Sequence, residues 1–392
     1  MAICPYIDQV VKLASADFPD LWRECDSPVF HSEQTERVRL DLLRRTETLD
    51  GSEAERITDL CRSVVANLEI DQVPIFVHQP QDGRPVIPRL CFVPDEIHLV
   101  VSPRQFAHCS NAELRIILGH EICHYWLWTT FNGQYRTTEM VLAALVGRGD
   151  RQVARETERR YRWLSELVCD RHSLQMESSL AEFSTAIWKL QHPDQPLAPS
   201  DLDVAVTEDP LAPCSSTGTH PSTDMRRWAA ARWLKSKSEC EAEVLAAVCG
   251  EMTLERLCLI DQRDLEVWTA WLLNRLVEPT WMRTDRVMRH CKLFFSDSSQ
   301  ASNDGSILGK LNEINDEGLR DYLAYLTLDI LTVDRELEGY PLAWALEVWE
   351  EVTWTAHVQA VICKELKIGK RRMQQLHADR GQLLLEADTK HA

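Results

Sequence analysis

The chain has no uninterrupted run of about 18 apolar residues, the length a membrane-spanning helix needs. Its closest approach, Tyr322 to Val333, is broken by Asp329. The first twenty residues, MAICPYIDQVVKLASADFPD, contain no continuous apolar core of the kind a signal peptide carries, and none precedes Cys4. Neither a secretory leader nor a lipoprotein anchor is expected, and the protein is expected to be soluble. There is no C-x-x-C pair among 13 cysteines, an odd number scattered singly. A disulfide framework is therefore not expected, and mostly buried, reduced thiols point to the cytoplasm. Positive charge is in deficit, with 43 Lys and Arg against 61 Asp and Glu and a net charge of -18. That balance excludes nucleic acid as a main partner, because binding phosphates requires a basic surface. It also disfavours an anionic membrane surface. No repeat of solenoid length is evident.

What the chain does have is length and apolar content. Its 392 residues exceed one ordinary domain, and 44% of them are hydrophobic, enough for sizeable cores. The 13 Trp read as packing residues in helices. Residues 1–72 are mainly helical in pattern, over Ile7 to Ala14, Ser32 to Thr46 and Ser52 to Leu68. Arg37, Arg39, Arg44 and Arg45 form a solvated helix face. Between 73 and 103 the runs VPIFVH, RLCFV and IHLVVS are short, β-branched or aromatic, and bounded by Pro, Gly and Asp. They predict two or three strands of a small sheet, with Leu90 to Val93 and Leu99 to Ser102 as candidate edges for an extended peptide. Residues 131–150 mix Gly and polar residues and read as a flexible surface segment. Arg151 to Ser178 is a long helix, continued by Ala181 to Leu190. The stretch 191–222 is rich in Pro, Asp and Ser and reads as irregular, a kind of connection that is functional or disordered. Thr223 to Ser236 returns to helix. From about residue 238 the pattern is helical throughout, divided by the polar break Ser296 to Ser306.

One stretch carries chemistry. Ser110 to Thr130, SNAELRIILGHEICHYWLWTT, opens with the capping-box pair Ser110 and Glu113 and continues on helical spacing. It contains H-E-x-x-H: His120, Glu121 and His124. Four residues apart on a helix, the two imidazoles share a face and can reach one zinc ion. Glu121 points off that axis, where it can act on water beside the metal as general base. A chance match of this motif is expected in roughly one such sequence in thirty, so a third ligand is needed. Glu166 supplies one, on the half-buried helix of Trp163, Leu167 and Val168. Asp170, one turn on, can accept a hydrogen bond from the far nitrogen of a ligand histidine and fix its orientation.

H-E-x-x-H on one helix and E-x-x-x-D on a later one resemble the gluzincin metallopeptidases, and in detail the HtpX and CAAX prenyl endopeptidase family. The run IHLVVSPRQFAHCSNAELRIILGHEICH is similar to that family's strand, short helix and motif helix. ELVCD is similar to its E-x-x-A-D, with Cys169 in place of alanine. THPSTDMRR is similar to its T-H-P-x-x-x-x-R, with His220, Pro221 and Arg226 in register. The resemblance spans Val73 to Leu234. Cys123 stands where the family has a small residue, PRLCFV replaces its Asn-Ala-Phe-Ala segment, and the membrane helices of most relatives have no counterpart. The resemblance implies His120, His124 and Glu166 as ligands of one Zn2+ per chain, with Glu121 as base. It also implies Asp170 and Arg226 as supporting residues. His220 is implied as an oxyanion donor, a gating ligand or a structural residue of the loop entering the next helix, that loop being suited to a movable lid. Cys123 and Cys169, next to His124 and Asp170, either lie near the metal or, as the favoured reading, are small buried packing residues.

Leu319 to Ile368 is weakly similar to TerB-like helical domains, with Asp334 and Glu336 in an acidic turn, but no metal site is carried over. Lys364, Lys367, Lys370, Arg371 and Arg372 read as a solvated helix end. The expected fold is α+β and helix-dominated. A zincin-like catalytic domain with a small sheet occupies residues 1–237: N-terminal helices to 72, then the catalytic core 73–237. An all-α domain at 238–392 is a candidate binding or regulatory module for a protein partner. The expected activity is zinc-dependent endopeptidase, general or narrowly specific for one regulatory protein. The alternative is a metal-binding interaction scaffold with gluzincin architecture and little turnover.

Overall fold

The computed structural model describes residues 3–148, 152–192, 220–235, 240–294 and 306–391. These form two compact units, Met1–Gly250 and Glu251–Ala392. In chain order the first unit contains α1 (Pro5–Asp17), α2 (Pro19–Cys25), α3 (Pro28–Arg45), β1 (Thr46–Thr48) and α4 (Ser52–Asn67). The strands β2 (Ile75–Pro80), β3 (Arg89–Val93) and β4 (Glu96–Val100) follow, then α5 (Pro103–Phe106) and α6 (Asn111–Thr129). After a 3-10 turn at Thr130–Gly133 come α7 (Gln134–Gly147), α8 (Gln152–Glu177), α9 (Leu180–Gln191), α10 (Thr223–Lys235) and α11 (Cys240–Cys249).

The four strands make one mixed sheet in the order β1-β2-β4-β3. β2 runs parallel to β4, and the other two pairings are antiparallel. Val77, Ile97 and Leu99 are buried, and α4 packs on β2 while α6 packs on β3 and β4. β4 is therefore central, so of the two candidate edges only β3 is one. The strand β1 was not expected. It is three residues at the end of α3, fixed by pairing Thr46 to Pro80 and Thr48 to His78.

At the middle of the unit lies α6. Its capping box forms as expected: Ser110 Oγ accepts from the Glu113 N–H at 3.2 Å, and Glu113 Oε2 accepts from the Ser110 N–H at 2.7 Å. A cap of this kind is worth about 1 kcal/mol. Lys189 Nζ holds the same carboxylate at 2.8 Å, which ties α9 to the start of α6. Leu114, Leu118, Ile122, Cys123 and Leu127 are buried on several sides of the helix, as befits a helix enclosed by others. Its main partner is α8. A Cβ placed on Gly119 would meet Ser173 Cα at 3.4 Å, so two small residues set the close approach of the helices, beside His120.

Residues 131–150 depart from expectation. Phe131 and Asn132 take positive φ, at 51° and 58°, and the turn they make starts α7. The polar residues that suggested a surface segment are buried with partners. Thr137 Oγ1 donates to Asp26 at 3.0 Å, Thr138 Oγ1 to the Gln134 carbonyl at 2.8 Å, and Arg136 contacts His31 Nδ1 at 3.1 Å. The first unit also ends later than residue 237, because α11 packs on α8 through buried Cys240, Val244 and Val248. Arg171 reaches Glu241 there. Most of the stretch 191–222 and of the break at 296–306 lies outside the described residues.

The second unit is all helix among its described residues: α12 (Leu259–Leu276), α13 (Asp285–Cys291), α14 (Ser306–Asn312), α15 (Glu317–Val333), α16 (Tyr340–Trp349), α17 (Thr355–Glu365) and α18 (Lys370–His391). Trp349 and Trp354 pack at 4.9 Å between ring centroids. Both buried indoles are satisfied, Trp349 by Thr327 Oγ1 at 3.0 Å and Trp354 by the Leu311 carbonyl at 2.8 Å, as buried Trp requires. In the acidic turn, Arg286 pairs with Asp334 at 3.1 Å and with Glu336 at 3.3 Å, so those carboxylates already have a cation. The late basic residues Lys364 to Arg372 are exposed. No helix among the described residues is long and apolar enough to cross a membrane.

Candidate metal centre

The packing of α6 on α8 turns two sequence-distant motifs toward each other. Nε2 of His120 lies 3.2 Å from Glu166 Oε2, and Nε2 of His124 lies 3.4 Å from Glu166 Oε1. One donor atom from each of the three residues falls within 4.8 Å of the others, the one such group among the described residues. Bonds of about 2.0–2.1 Å in a tetrahedron put ligand atoms about 3.4 Å apart. Each measured separation, one to each oxygen of Glu166, is of the length that two ligands of a small cation show. Two imidazole nitrogens and a carboxylate are also a donor set that suits zinc and leaves a fourth position open.

The far nitrogens of the rings are engaged too. Asp170 Oδ1 lies 2.9 Å from His120 Nδ1, and Cys169 Sγ lies 3.5 Å from His124 Nδ1. Each ring is thus turned with Nε2 inward. Asp170 is itself gripped by Arg226 on α10, through Nε at 2.7 Å and Nη2 at 2.6 Å. This is a two-pronged guanidinium–carboxylate pair of the strong kind. Burial works against charge at every one of these groups, yet the pairings prevail. Arg226 and His120 hold the Asp170 carboxyl below the usual range. The two imidazoles hold Glu166 well below it. Asp170 and Glu166 raise His120 to about 10, and Glu166 raises His124. The cluster attracts positive charge, and protons and a metal ion compete for the same lone pairs.

Glu121 faces away from the donors, as its position on the helix requires, and accepts a hydrogen bond from the Leu90 N–H on β3 at 2.9 Å. Burial, with help from nearby Glu166, raises its pKa against the pull of the two imidazoles. Base, donors and edge strand line one cavity of about 360 Å³. Toward the start of α6 this cavity is apolar, with Ile116, Ile117, Phe183 and Ile187.

His220 is beside this group but not part of it. Its Nε2 is 3.7 Å from Glu166 Oε1 and its side chain is 63% exposed. The loop leading to it lies outside the described residues. Cys123 and Cys169 are fully buried, as expected. Cys169 also touches His124, and none of the described cysteines forms a disulfide.

Two groups escaped the sequence reading. Glu139 on α7 lines the cavity near His124 and Arg162, where burial raises its pKa. On the sheet, His78 Nε2 meets His98 Nδ1 at 3.0 Å, and His98 Nε2 meets Glu96 at 2.8 Å. Burial and then His98 push His78 down to about 4. Alternate residues on neighbouring strands could have signalled that pair. It spends both nitrogens of His98, so three donors do not converge.

Comparison with family models, with curated proteins and with solved structures returns no match.

Proposed function

We propose that the chain is a zinc-dependent endopeptidase of the gluzincin type, hydrolysing peptide bonds with Glu121 as general base. The supporting observation is the convergence of His120, His124 and Glu166, with one donor atom of each within 4.8 Å of the others, and Glu121 in the same cavity. A zinc ion bound there supplies Lewis-acid activation of water and of the scissile carbonyl. The protein's own groups do the rest. Glu121 takes the proton from the attacking water and returns it to the departing amine. Asp170 and Arg226 keep His120 in its ligating orientation. β3 offers to an extended peptide the outward main-chain groups that Glu121 does not occupy. Free thiols fit a reducing compartment, which we take to be the cytoplasm.

The test is metal content. Purified protein should carry about one zinc per chain by elemental analysis, and Glu166→Ala should carry almost none. Equal zinc in both would remove Glu166 from the ligand set, and none in either would remove zinc from the reading.

Acid should also weaken the site. Both imidazoles must be neutral to ligate, and in the metal-free protein both have raised pKa values, His120 at about 10. Zinc binding at pH 7 therefore displaces protons, and affinity should fall as pH falls. Calorimetry in two buffers of different ionisation heat reads this directly. An apparent enthalpy independent of buffer would contradict it.

A further inference from the structure

The metal cavity does not stop at the three donors. Past the end of α6 it joins a groove of about 920 Å³ that runs between α3, β3 and α7. Arg89, Leu90, Trp128 and Glu139 line both spaces, so any chain lying along β3 through the metal cavity passes them. Glu139 is the one carboxylate of the four. Among the described residues it enters no ion pair; the Trp128 side chain hydrogen-bonds it, and Arg162 attracts it without closing on it. Arg162 is held by Glu158 at 2.8 Å. Arg136 stacks on Phe92 at 4.1 Å and contacts His31.

We propose that Glu139 and Trp128 form a subsite for a positively charged group of the substrate, an ammonium or a guanidinium, next to the metal donors. The inference rests on the peptidase reading and deepens it. A part-buried carboxylate with no cation in direct contact is costly to keep charged, and an incoming cation lowers that cost. Trp128 adds an indole on which a cation can rest. Its ring lies 5.5 Å from that of His124, which puts the subsite within about one residue of the bond to be cut. The net charge of -18 also favours basic over acidic peptides as approaching ligands. At the opposite end the cavity wall is apolar, so selection for charge acts on one side only.

The experiment measures binding separately from cleavage. Fluorescently labelled, N-acetylated peptides are titrated into zinc-loaded Glu121→Gln protein, with lysine or norleucine scanned through each position. A second arm uses lysine-free peptides with a free N-terminal amine. Lysine at one position, or the free amine, should tighten binding about tenfold. Glu139→Gln should bring that advantage to within about twofold while leaving zinc content and the affinity for the norleucine peptide unchanged. Whichever arm shows the gain identifies the side chain or the terminus as the source of the cation. Equal affinities in all arms, a preference that survives Glu139→Gln, or no binding of any peptide overturns the proposal. Wild-type protein that binds these peptides but does not cut them overturns the peptidase reading alone.

Discussion

Glu121→Gln should lose peptide hydrolysis by about 10²–10⁴-fold, the usual contribution of a positioned general base, while keeping its zinc. Glutamine matches glutamate in size and cannot take a proton from water. It keeps an oxygen for the Leu90 N–H that Glu121 now accepts at 2.9 Å, so helix and strand stay joined. Burial raises the Glu121 pKa, moving it toward working pH, where a base is most effective, and the acid limb of kcat/KM should report this group. Turnover comparison with the wild type, on whole proteins as well as peptides, covers both a general and a narrowly specific protease. Wild-type rates in the variant would rule out Glu121 as base. Zinc bound with no hydrolysis by either protein would favour the interaction scaffold instead.

Asp170→Ala should be the most damaging substitution to stability. It strands the Arg226 guanidinium, now gripped at 2.6 and 2.7 Å with only 13% of the side chain exposed. Removing one partner of a buried pair costs about 3–5 kcal/mol, which in a unit of this size lowers Tm by about 6–20 °C. The same change frees His120 Nδ1 and should weaken zinc binding about 10–100-fold. The double replacement Asp170→Leu with Arg226→Met separates the two effects. With no unpaired charge it should regain most of the stability, yet with no brace on His120 it should remain a poor zinc binder. A Tm within 1 °C of wild type in Asp170→Ala would show that the pair is not structurally important.

The parts of the site legible in the sequence are those whose signal is local. His120, Glu121 and His124 share one helix whose start is written in Ser110 and Glu113. Glu166 and Asp170 are one turn apart on another, beside apolar neighbours that say which face is buried. Arg226 was readable as a supporting residue, and the structure pairs it with Asp170. What stayed hidden depends on contacts between distant elements. α7 was misread because Arg136, Thr137 and Thr138 look solvent-seeking; Thr138 is satisfied within α7, but the partners of Arg136 and Thr137 are His31 on α3 and Asp26 at the end of α2. Glu139 was lost with that helix. β1 is three residues with no strand pattern, held by β2 alone. The end of the first unit was placed before α11, whose apolar residues fit either neighbour until Arg171 and Glu241 are seen together.

The bond from Leu90 to Glu121 has a consequence unrelated to peptide hydrolysis. Leu90 lies opposite Leu99 in an antiparallel ladder, and its N–H points away from that ladder. It would otherwise be an unpaired donor on an open sheet edge, the kind of template on which chains associate strand to strand. The Glu121 side chain covers it, while the opposite edge, β1, is only three residues long. The proposed base thus also shields the sheet edge at Leu90 from strand pairing. Alanine at position 121 would remove both functions at once, and precipitation on concentration could then be mistaken for a folding defect.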